Sequence, residues 1–223
     1  MPTPSLNALS EAAQTPISKP FYDRLRAYCA LLQKWQKTHN LIAPSTLGQI
    51  WERHIVDSLQ ILPHIPKNTH SHLDFGSGGG LPGIVIAAAF ADKIYENDKD
   101  GPGWQTDLVE SISKKATFLS TVRRELKLPA DIYAERIEDF QSRKVDSSYN
   151  LITARALADL NQLLSYAEPF ISEETLLIFP KGIQWQAEID AAMLHWQFEF
   201  EAIPSLTQSN ASLLLIKNLY KRG

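Results

Sequence analysis

SHLDFGSGGGLPG, residues 71–83, is the stretch that decides the fold. A short apolar strand leads into Asp74, and a turn with alternate glycines at Gly76, Gly78 and Gly80 follows. Glycines at this spacing suit a backbone that adopts positive φ and lets a ligand approach closely. An apolar helix is expected directly after the turn. This order of strand, glycine turn and helix predicts the ligand cradle of a doubly wound α/β sheet.

The spacing of the glycines leaves more than one ligand open. Residues 78–83 satisfy the dinucleotide pattern G-x-G-x-x-G, but Pro82 falls where a dinucleotide-binding helix begins. The pattern Asp-x-Gly-x-Gly-x-Gly fits better, because Asp74 stands two residues before the first glycine. A carboxylate there suits S-adenosylmethionine (AdoMet), whose sulfonium and amino group are cationic and which has no pyrophosphate. The alternative is a glycine-rich turn that binds nothing.

Composition excludes several classes of protein. The chain has 223 residues, 44% of them hydrophobic, with a net charge of −3 and a pI of about 6.1, so any RNA contact needs a local basic patch. The single cysteine, Cys29, excludes an internal disulfide and a cysteine-based metal cluster, and no metal is expected. No apolar run reaches membrane-spanning length and no signal-peptide pattern is present. We expect a cytoplasmic monomer without membrane contacts.

The chain is expected to have three segments. Residues 1–20 contain four prolines and predict a flexible leader with at most a short helical turn. Residues 21–66 carry two amphipathic patterns and predict a small helical N-terminal extension. Residues 67–223 predict a Rossmann-like domain of seven strands that ends in an antiparallel hairpin. A polar stretch at 91–105 is expected to form a surface loop.

The second predicted helix of the extension carries polar residues away from its apolar stripe. These are Arg53, His54, Asp57 and Ser58. Arg53 and Asp57 are i,i+4 neighbours, which predicts a solvated helix face with a surface ion pair worth less than about 1 kcal/mol. Spacing alone assigns His54 no catalytic role.

Candidate ligand contacts follow the next two strands. Glu110 ends the strand predicted at Thr106–Val109, where an acid can accept hydrogen bonds from both ribose hydroxyls of an adenosine. An acid favoured by a helix dipole is the alternative. After the third strand, at Asp131–Ala134, the turn is expected to pass beside the adenine, which makes Ile137 and Glu138 candidates.

Cations are expected both at the ligand edge of the sheet and on one helix. Arg155 ends a buried strand and Lys181 follows another, and we favour a functional role over pairing with a neighbouring carboxylate. The helix predicted at 113–127 carries the densest basic patch of the chain. Its face either meets a phosphate backbone or is simply solvated; the candidates for RNA binding are Lys114, Lys115, Arg123 and Arg124.

Taken together, these motifs resemble the small-subunit ribosomal RNA methyltransferase G family over about residues 21–218. Seven segments occur in the family's order, and the resemblance departs from the family at the polar insertion of residues 95–105, at the leader and at Gly79. The segments are His39-Asn40-Leu41, Arg53-His54-x-x-Asp57-Ser58, the glycine turn, Glu110-Ser111-x-x-Lys114-Lys115-x-x-Phe118-Leu119, Arg136-x-Glu138-x-Phe140, Ala154-Arg155-Ala156 and Lys181-Gly182.

The resemblance implies a class I AdoMet-dependent methyltransferase with a Rossmann-like, mostly parallel sheet. It implies methylation of N7 of one guanine in the 530 loop of 16S rRNA, in the small ribosomal subunit or its assembly intermediate. It implies cofactor contacts from Gly76, Leu81, Ile137, Glu138 and Arg155, supported by Asp74, Gly78 and Glu110. From their charge and position, Arg155 and Lys181 would position the guanine. The alternatives are an NAD-dependent oxidoreductase and a non-catalytic RNA-binding module on the same fold.

Overall fold

A seven-stranded sheet lies at the centre of the computed structural model, which describes residues 3–91, 103–145 and 147–223. The strand order is β3-β2-β1-β4-β5-β7-β6; neighbours are parallel except that β7 runs antiparallel to β5 and β6. The predicted seven strands and terminal hairpin are confirmed. The strands are β1 Ser71–Phe75, β2 Gln105–Val109, β3 Ala130–Tyr133, β4 Leu151–Ala154, β5 Leu176–Lys181, β6 Trp196–Pro204 and β7 Ser212–Lys221.

Helices cover both faces of the sheet. The helix after the glycine turn is apolar on every side and buried from residue 83 to residue 88, because it lies between the sheet and the N-terminal helices. The α-helices are α1 Leu6–Ala12, α2 Lys19–Gln36, α3 Asp57–Leu59, α4 Gly83–Phe90, α5 Ser113–Leu126, α6 Ile137–Arg143, α7 Leu160–Ala167 and α8 Trp185–Ala192. Short 3₁₀ helices occupy Pro44–Gln49, Leu62–His64 and Glu168–Phe170, and a π-helix occupies Trp51–Val56.

Within the segment predicted as a flexible leader, the described residues include helix α1 and the first two residues of α2. Helix α1 begins after Ser5, whose Oγ accepts a hydrogen bond from the Ala8 N–H at 3.2 Å. Leu9, Ala13 and Ile17 are buried in one core with α2, α4 and α5. Pro4, Pro16 and Pro20 lie outside α1, so they do not prevent a short amphipathic helix from packing.

The second helix of the extension also differs from the prediction. Residues 44–59, here called segment 44–59, form a 3₁₀ turn, a π-helix and one α-helical turn instead of a regular α-helix. His54, Asp57 and Ser58 are buried, so the predicted solvated face is wrong. Asp57 pairs with Arg155, which directly follows β4, rather than with Arg53. A buried carboxylate requires such a partner.

The polar stretch at 91–105 lies mostly outside the described residues, which resume at residue 103. Its end is not a surface loop, since Trp104 is buried and stacks on Phe90 with ring centroids 3.9 Å apart. Gln105 already belongs to β2. In the described part of the chain, none of the helices combines the length and apolar character needed to cross a membrane.

Candidate functional site

The glycine turn connects β1 to α4 at the carboxyl edge of the sheet. Gly76, Gly78 and Gly80 have φ values of 59°, 58° and 92°, so the predicted positive φ is confirmed at all three. Residues with a side chain rarely adopt this backbone conformation, because it costs an L-residue roughly 1–2 kcal/mol. The strand order also reverses beside this turn, since β1 lies between β2 and β4. Ligands bind at such switch points of α/β sheets.

Asp74 lies beneath the turn and does not face open space. Its side chain is fully buried, and Oδ1 accepts a hydrogen bond from the Thr153 hydroxyl at 2.6 Å. Oδ2 has no hydrogen-bond partner among the described residues and lies against Gly83, where a Cβ would approach it to 2.6 Å. Burial raises the pKa of Asp74 from 3.8 to about 6, although Thr153 opposes the shift. Asp74 therefore lies beneath the turn, and its role in supporting a cationic ligand stays a prediction.

A buried chain of hydrogen bonds leads across three strands to Asp74. Thr153 donates to Asp74, so its oxygen accepts from Nε2–H of His72 at 2.9 Å. His72 Nδ1 then accepts from the Thr106 hydroxyl at 3.4 Å, and that hydroxyl accepts from the Trp104 indole at 2.9 Å. Burial lowers the pKa of His72 to about 3, which keeps the ring neutral. This series of hydrogen bonds orients Asp74. Sequence patterns did not predict that its members contact one another.

Glu110 supports the glycine turn from below. Its Oε2 accepts the Gly78 N–H at 2.8 Å, and its Oε1 accepts the Ile112 N–H at 2.8 Å. The side chain is nearly buried at the end of β2, the predicted position. One lone pair on each oxygen stays available after these bonds. Glu110 thus fixes the shape of the turn and keeps some capacity to accept a further donor.

A cavity of about 540 Å³ opens beside the turn. Of the predicted residues, Gly76, Gly78, Leu81, Arg155, Lys181 and Lys115 lie on its wall. A second part of the wall was not predicted: it comes from segment 44–59 and from the turn between β6 and β7. Thr46, Arg53, His54, Asp57, Ser205 and Gln208 lie there. The volume falls within the range of small-molecule sites.

Arg155 is held at the cavity wall by two side chains of segment 44–59. Nη1 donates to Asp57 Oδ2 at 3.0 Å, and Nη2 donates to His54 Nδ1 at 3.1 Å. Burial lowers the pKa of His54 to about 4, and the positive charge of Arg155 is the second cause of the shift. The ring is therefore neutral near pH 7. The Arg155 side chain is 18% exposed, and it lines the cavity.

Lys181 lies on the cavity wall but is already engaged. Its Nζ donates to the Ala158 carbonyl at 2.8 Å and to Glu188 Oε2 at 2.6 Å. The same carboxylate oxygen accepts the Leu160 N–H at 2.7 Å, at the start of α7. The sequence favoured function over pairing with a carboxylate, and the pairing is present. Lys181 joins β5, α7 and α8, and it has one N–H left for a ligand.

Ile137 and Glu138 lie at the carboxyl end of β3, two strands from β1. They do not line the cavity. Ile137 is buried in the second core, and Glu138 is exposed and accepts a hydrogen bond from the Tyr166 hydroxyl at 3.2 Å. This edge of the sheet is continuous with the glycine turn through Glu110, whose N–H bonds Tyr133.

The four basic residues of α5 divide into two groups. Lys114 and Lys115 lie in its first turn, and Lys115 reaches the cavity. Arg123 and Arg124 lie in its last turn and pair with Asp131 at 3.0 Å and with Glu125 at 3.2 Å, respectively. A rise of about 1.5 Å per residue separates the groups by roughly 14 Å along the helix. Both exposed pairs are weak enough to exchange for a phosphate.

Comparison with known proteins identifies the family. A family model described as rRNA small subunit methyltransferase G matches residues 22–214. The chain belongs to this family. Among relatives of the methyltransferase G family, one from Cereibacter sphaeroides (strain ATCC 17029) is 42% identical over 210 residues, which cover 94% of this chain and 97% of the relative. One from Brucella ovis is 40% identical over 206 residues, 92% of each chain. Both are named ribosomal RNA small subunit methyltransferase G.

Solved structures show the same fold at much lower identity. An O-methyltransferase from Bacillus cereus in complex with SAH superposes with a TM-score of 0.57 at 11% identity, covering 96% of both chains. A mutant of MtNAS in complex with S-adenosylmethionine gives a TM-score of 0.54 at 12% identity, covering 96% of this chain and 83% of the other. This methyltransferase G chain therefore has the class I AdoMet-dependent methyltransferase fold that the sequence predicted.

Proposed function

We propose that this chain transfers the methyl group of AdoMet to N7 of a guanine in the 530 loop of 16S rRNA. The substrate is the small ribosomal subunit or its assembly intermediate. Family membership supports methylation of small-subunit rRNA, and the choice of atom and loop extends it. The observation that carries the proposal is the cavity between the glycine turn and Arg155, which gives one space two differently equipped walls.

The glycine side of the cavity suits the cofactor. Gly76 and Gly78 expose backbone with positive φ there, and a Cβ at Gly76 would lie 2.6 Å from a methyl of Leu157. Glu110 keeps acceptor capacity for ribose hydroxyls, and Ile137 with Glu138 continues the same edge toward an adenine site. When bound, AdoMet supplies an electrophilic methyl group on a cationic sulfonium.

The opposite side suits a base that needs no deprotonation. Guanine N7 carries a free lone pair at neutral pH, so a general base is unnecessary. His54 fits this chemistry, since its Nδ1 lone pair is occupied by Arg155 and its pKa is lowered to about 4. The protein's contribution is then alignment of the nucleophile and the methyl carbon within about 3–3.5 Å.

Cations around the cavity suit RNA. The unengaged N–H groups of Arg155 and the last N–H of Lys181 can donate to guanine O6 or to phosphate, which leaves N7 free. Lys115 at the cavity mouth and the exposed cations of α5 extend this surface outward. An unpaired loop of RNA exposes its bases for such contacts.

The test is methylation of defined ribosomal particles. Small subunits from cells that lack the chain are incubated with methyl-labelled AdoMet, and the RNA is digested to nucleosides and mapped. The expected product is 7-methylguanosine in the 530 loop. Arg155→Lys should lower the rate, whereas Arg143→Lys, the same change on the exposed end of α6, is the matched control. Label in another nucleoside, or only on protein, contradicts the proposal.

Calorimetry separates the other classes of function. Binding of AdoMet without binding of NADH is expected, and the reverse result would favour an oxidoreductase. Binding of RNA with neither AdoMet binding nor product would favour a non-catalytic RNA-binding module.

A further inference from the structure

Arg155 takes its orientation from segment 44–59 and not from its own domain. Its two hydrogen-bonded partners, Asp57 and His54, lie 98 and 101 residues away in the chain. Each holds a different terminal nitrogen, so together they fix both the position and the plane of the guanidinium. The group's other N–H donors are not used by these bonds.

His54 is itself held in one tautomer. Because a guanidinium only donates, Nδ1 is the acceptor and Nε2 carries the proton. Nε2 lies 2.7 Å from the Thr46 hydroxyl, which itself donates a hydrogen bond to the Ala43 carbonyl at 2.8 Å. The Thr46 oxygen therefore accepts the Nε2–H. The ring therefore presents its lone pair to Arg155 and nothing else.

Asp57 is likewise fixed by hydrogen bonds to its other carboxylate oxygen. Its Oδ1 accepts hydrogen bonds from the Thr207 hydroxyl at 2.7 Å and from the Gln60 side chain at 3.0 Å. These bonds turn Oδ2 toward Arg155. Thr207 belongs to the turn between β6 and β7, so three separate parts of the chain meet at this carboxylate.

We infer that His54 and Asp57 are positioning residues that fix the Arg155 guanidinium at the cavity wall for methyl transfer. The inference rests on the proposed function. A preorganised cation costs no reorientation when substrate binds, and a guanidinium held at two nitrogens leaves its remaining donors at defined angles. Loss of this positioning of Arg155 should reduce the rate of the chemical step more than it reduces the affinity for AdoMet.

Two substitutions at one position test this inference. In His54→Asn, the amide oxygen replaces Nδ1 and keeps an acceptor for Arg155. In His54→Gln, the amide replaces Nε2, keeps a partner for Thr46 and loses the acceptor. The kcat of His54→Gln on small subunits should be at least about tenfold below that of His54→Asn, since a hydrogen bond to a charged group is removed. AdoMet affinity should differ by less than about threefold between them.

A double-mutant cycle shows whether His54 acts through Arg155. Lysine at 155 cannot hold both partners at two nitrogens. In an Arg155→Lys background, the kcat values of His54→Gln and His54→Asn should differ by less than about twofold. An undiminished effect of His54→Gln in that background, or equal kcat values for the two variants in the wild-type background, overturns the inference.

Asp57→Asn provides a second route if either variant at 54 fails to fold. The amide cannot place an oxygen toward both Thr207 and Arg155, so kcat should fall with a smaller change in AdoMet affinity. Equal losses of both would indicate a structural role and overturn the inference. Absence of 7-methylguanosine with the wild-type chain refutes the proposed function instead, so the two failures are distinguishable.

Discussion

Asp74→Asn should change the pH dependence of stability in a direction that the buried carboxylate fixes. The side chain is fully buried and Oδ2 lacks a hydrogen-bond partner in the described structure. An amide is nearly isosteric, and its oxygen can still accept from Thr153. It has no charge to desolvate, but its NH₂ would replace the unpartnered oxygen. An unsatisfied buried donor costs about 1–3 kcal/mol at every pH.

The pH-dependent part follows from the raised pKa. The unfolded carboxyl titrates near 3.8 and the folded one at about 6. The folded state binds this proton more tightly than the unfolded state does. Protonation of Asp74 therefore stabilises the fold in full below pH 3.8, and this stabilisation is lost as pH rises through about 6. At 1.36 kcal/mol per pH unit, the loss amounts to about 3 kcal/mol. The variant lacks this loss, so its stability relative to wild type should improve by most of that amount, about 2–2.5 kcal/mol, between pH 4 and 7.

Urea unfolding followed by tryptophan fluorescence measures the difference at a series of pH values. Two buried histidines, His54 and His72, have lowered pKa values and change stability in the opposite direction as pH rises from about 4 to 6.5. Both proteins carry them, so their effects cancel in the difference. Asp190→Asn, an exposed substitution on α8, is the matched control for removal of a carboxylate. A difference curve for Asp74→Asn that stays flat within about 0.5 kcal/mol would refute the reasoning.

Three further substitutions test packing, pairing and RNA contact. Gly83→Ala would place a Cβ 2.2 Å from a buried leucine methyl and should destabilise the chain by about 1–3 kcal/mol, whereas Gly48→Ala meets nothing within 4 Å and should be nearly neutral in the same urea titration. Lys181→Met should cost about 2 kcal/mol because Glu188 loses its partner, and adding Glu188→Gln should recover part of it; no recovery would mean that the pair is not coupled. Arg124→Glu should weaken subunit binding more at low salt than at high salt, and an unchanged salt slope would remove the last turn of α5 from the RNA surface.

The glycine turn and the sheet around it could be predicted because their determinants are local. Three alternate residues of the turn have positive φ, which favours glycine. The glycines at 76, 78 and 80 therefore predict the turn from the sequence alone. The central strands β4 and β5 are largely apolar runs, LITA and LLIFPK. The acid at Glu110 follows directly from the end of β2, although its partner turned out to be the Gly78 N–H.

The part of the cavity wall that segment 44–59 forms could not be predicted because its contacts join distant parts of the chain. An i,i+4 spacing suggested that Asp57 pairs with Arg53 on a solvated face. The π-helix and the pairing with Arg155 are set by tertiary packing, which overrides local periodicity. The one available signal was the Arg53-His54-x-x-Asp57-Ser58 motif, which the resemblance included without assigning it a role. The Lys181–Glu188 pair was missed because the turn between β5 and α8, which brings the two side chains together, has no side-chain spacing that predicts it.

The N-terminal helices contribute to the site from both directions, and this argues against a separable extension. The Tyr28 hydroxyl of α2 donates to the Gly79 carbonyl at 2.5 Å, and a Cβ at Gly79 would lie 3.0 Å from the Leu41 carbonyl. The glycine turn is therefore supported by backbone and side chain from α2 and the loop after it. Segment 44–59 meanwhile lines the cavity and holds Arg155 there. Because the extension contacts both walls of the cavity, we propose that residues 21–66 form part of the methyltransferase unit itself.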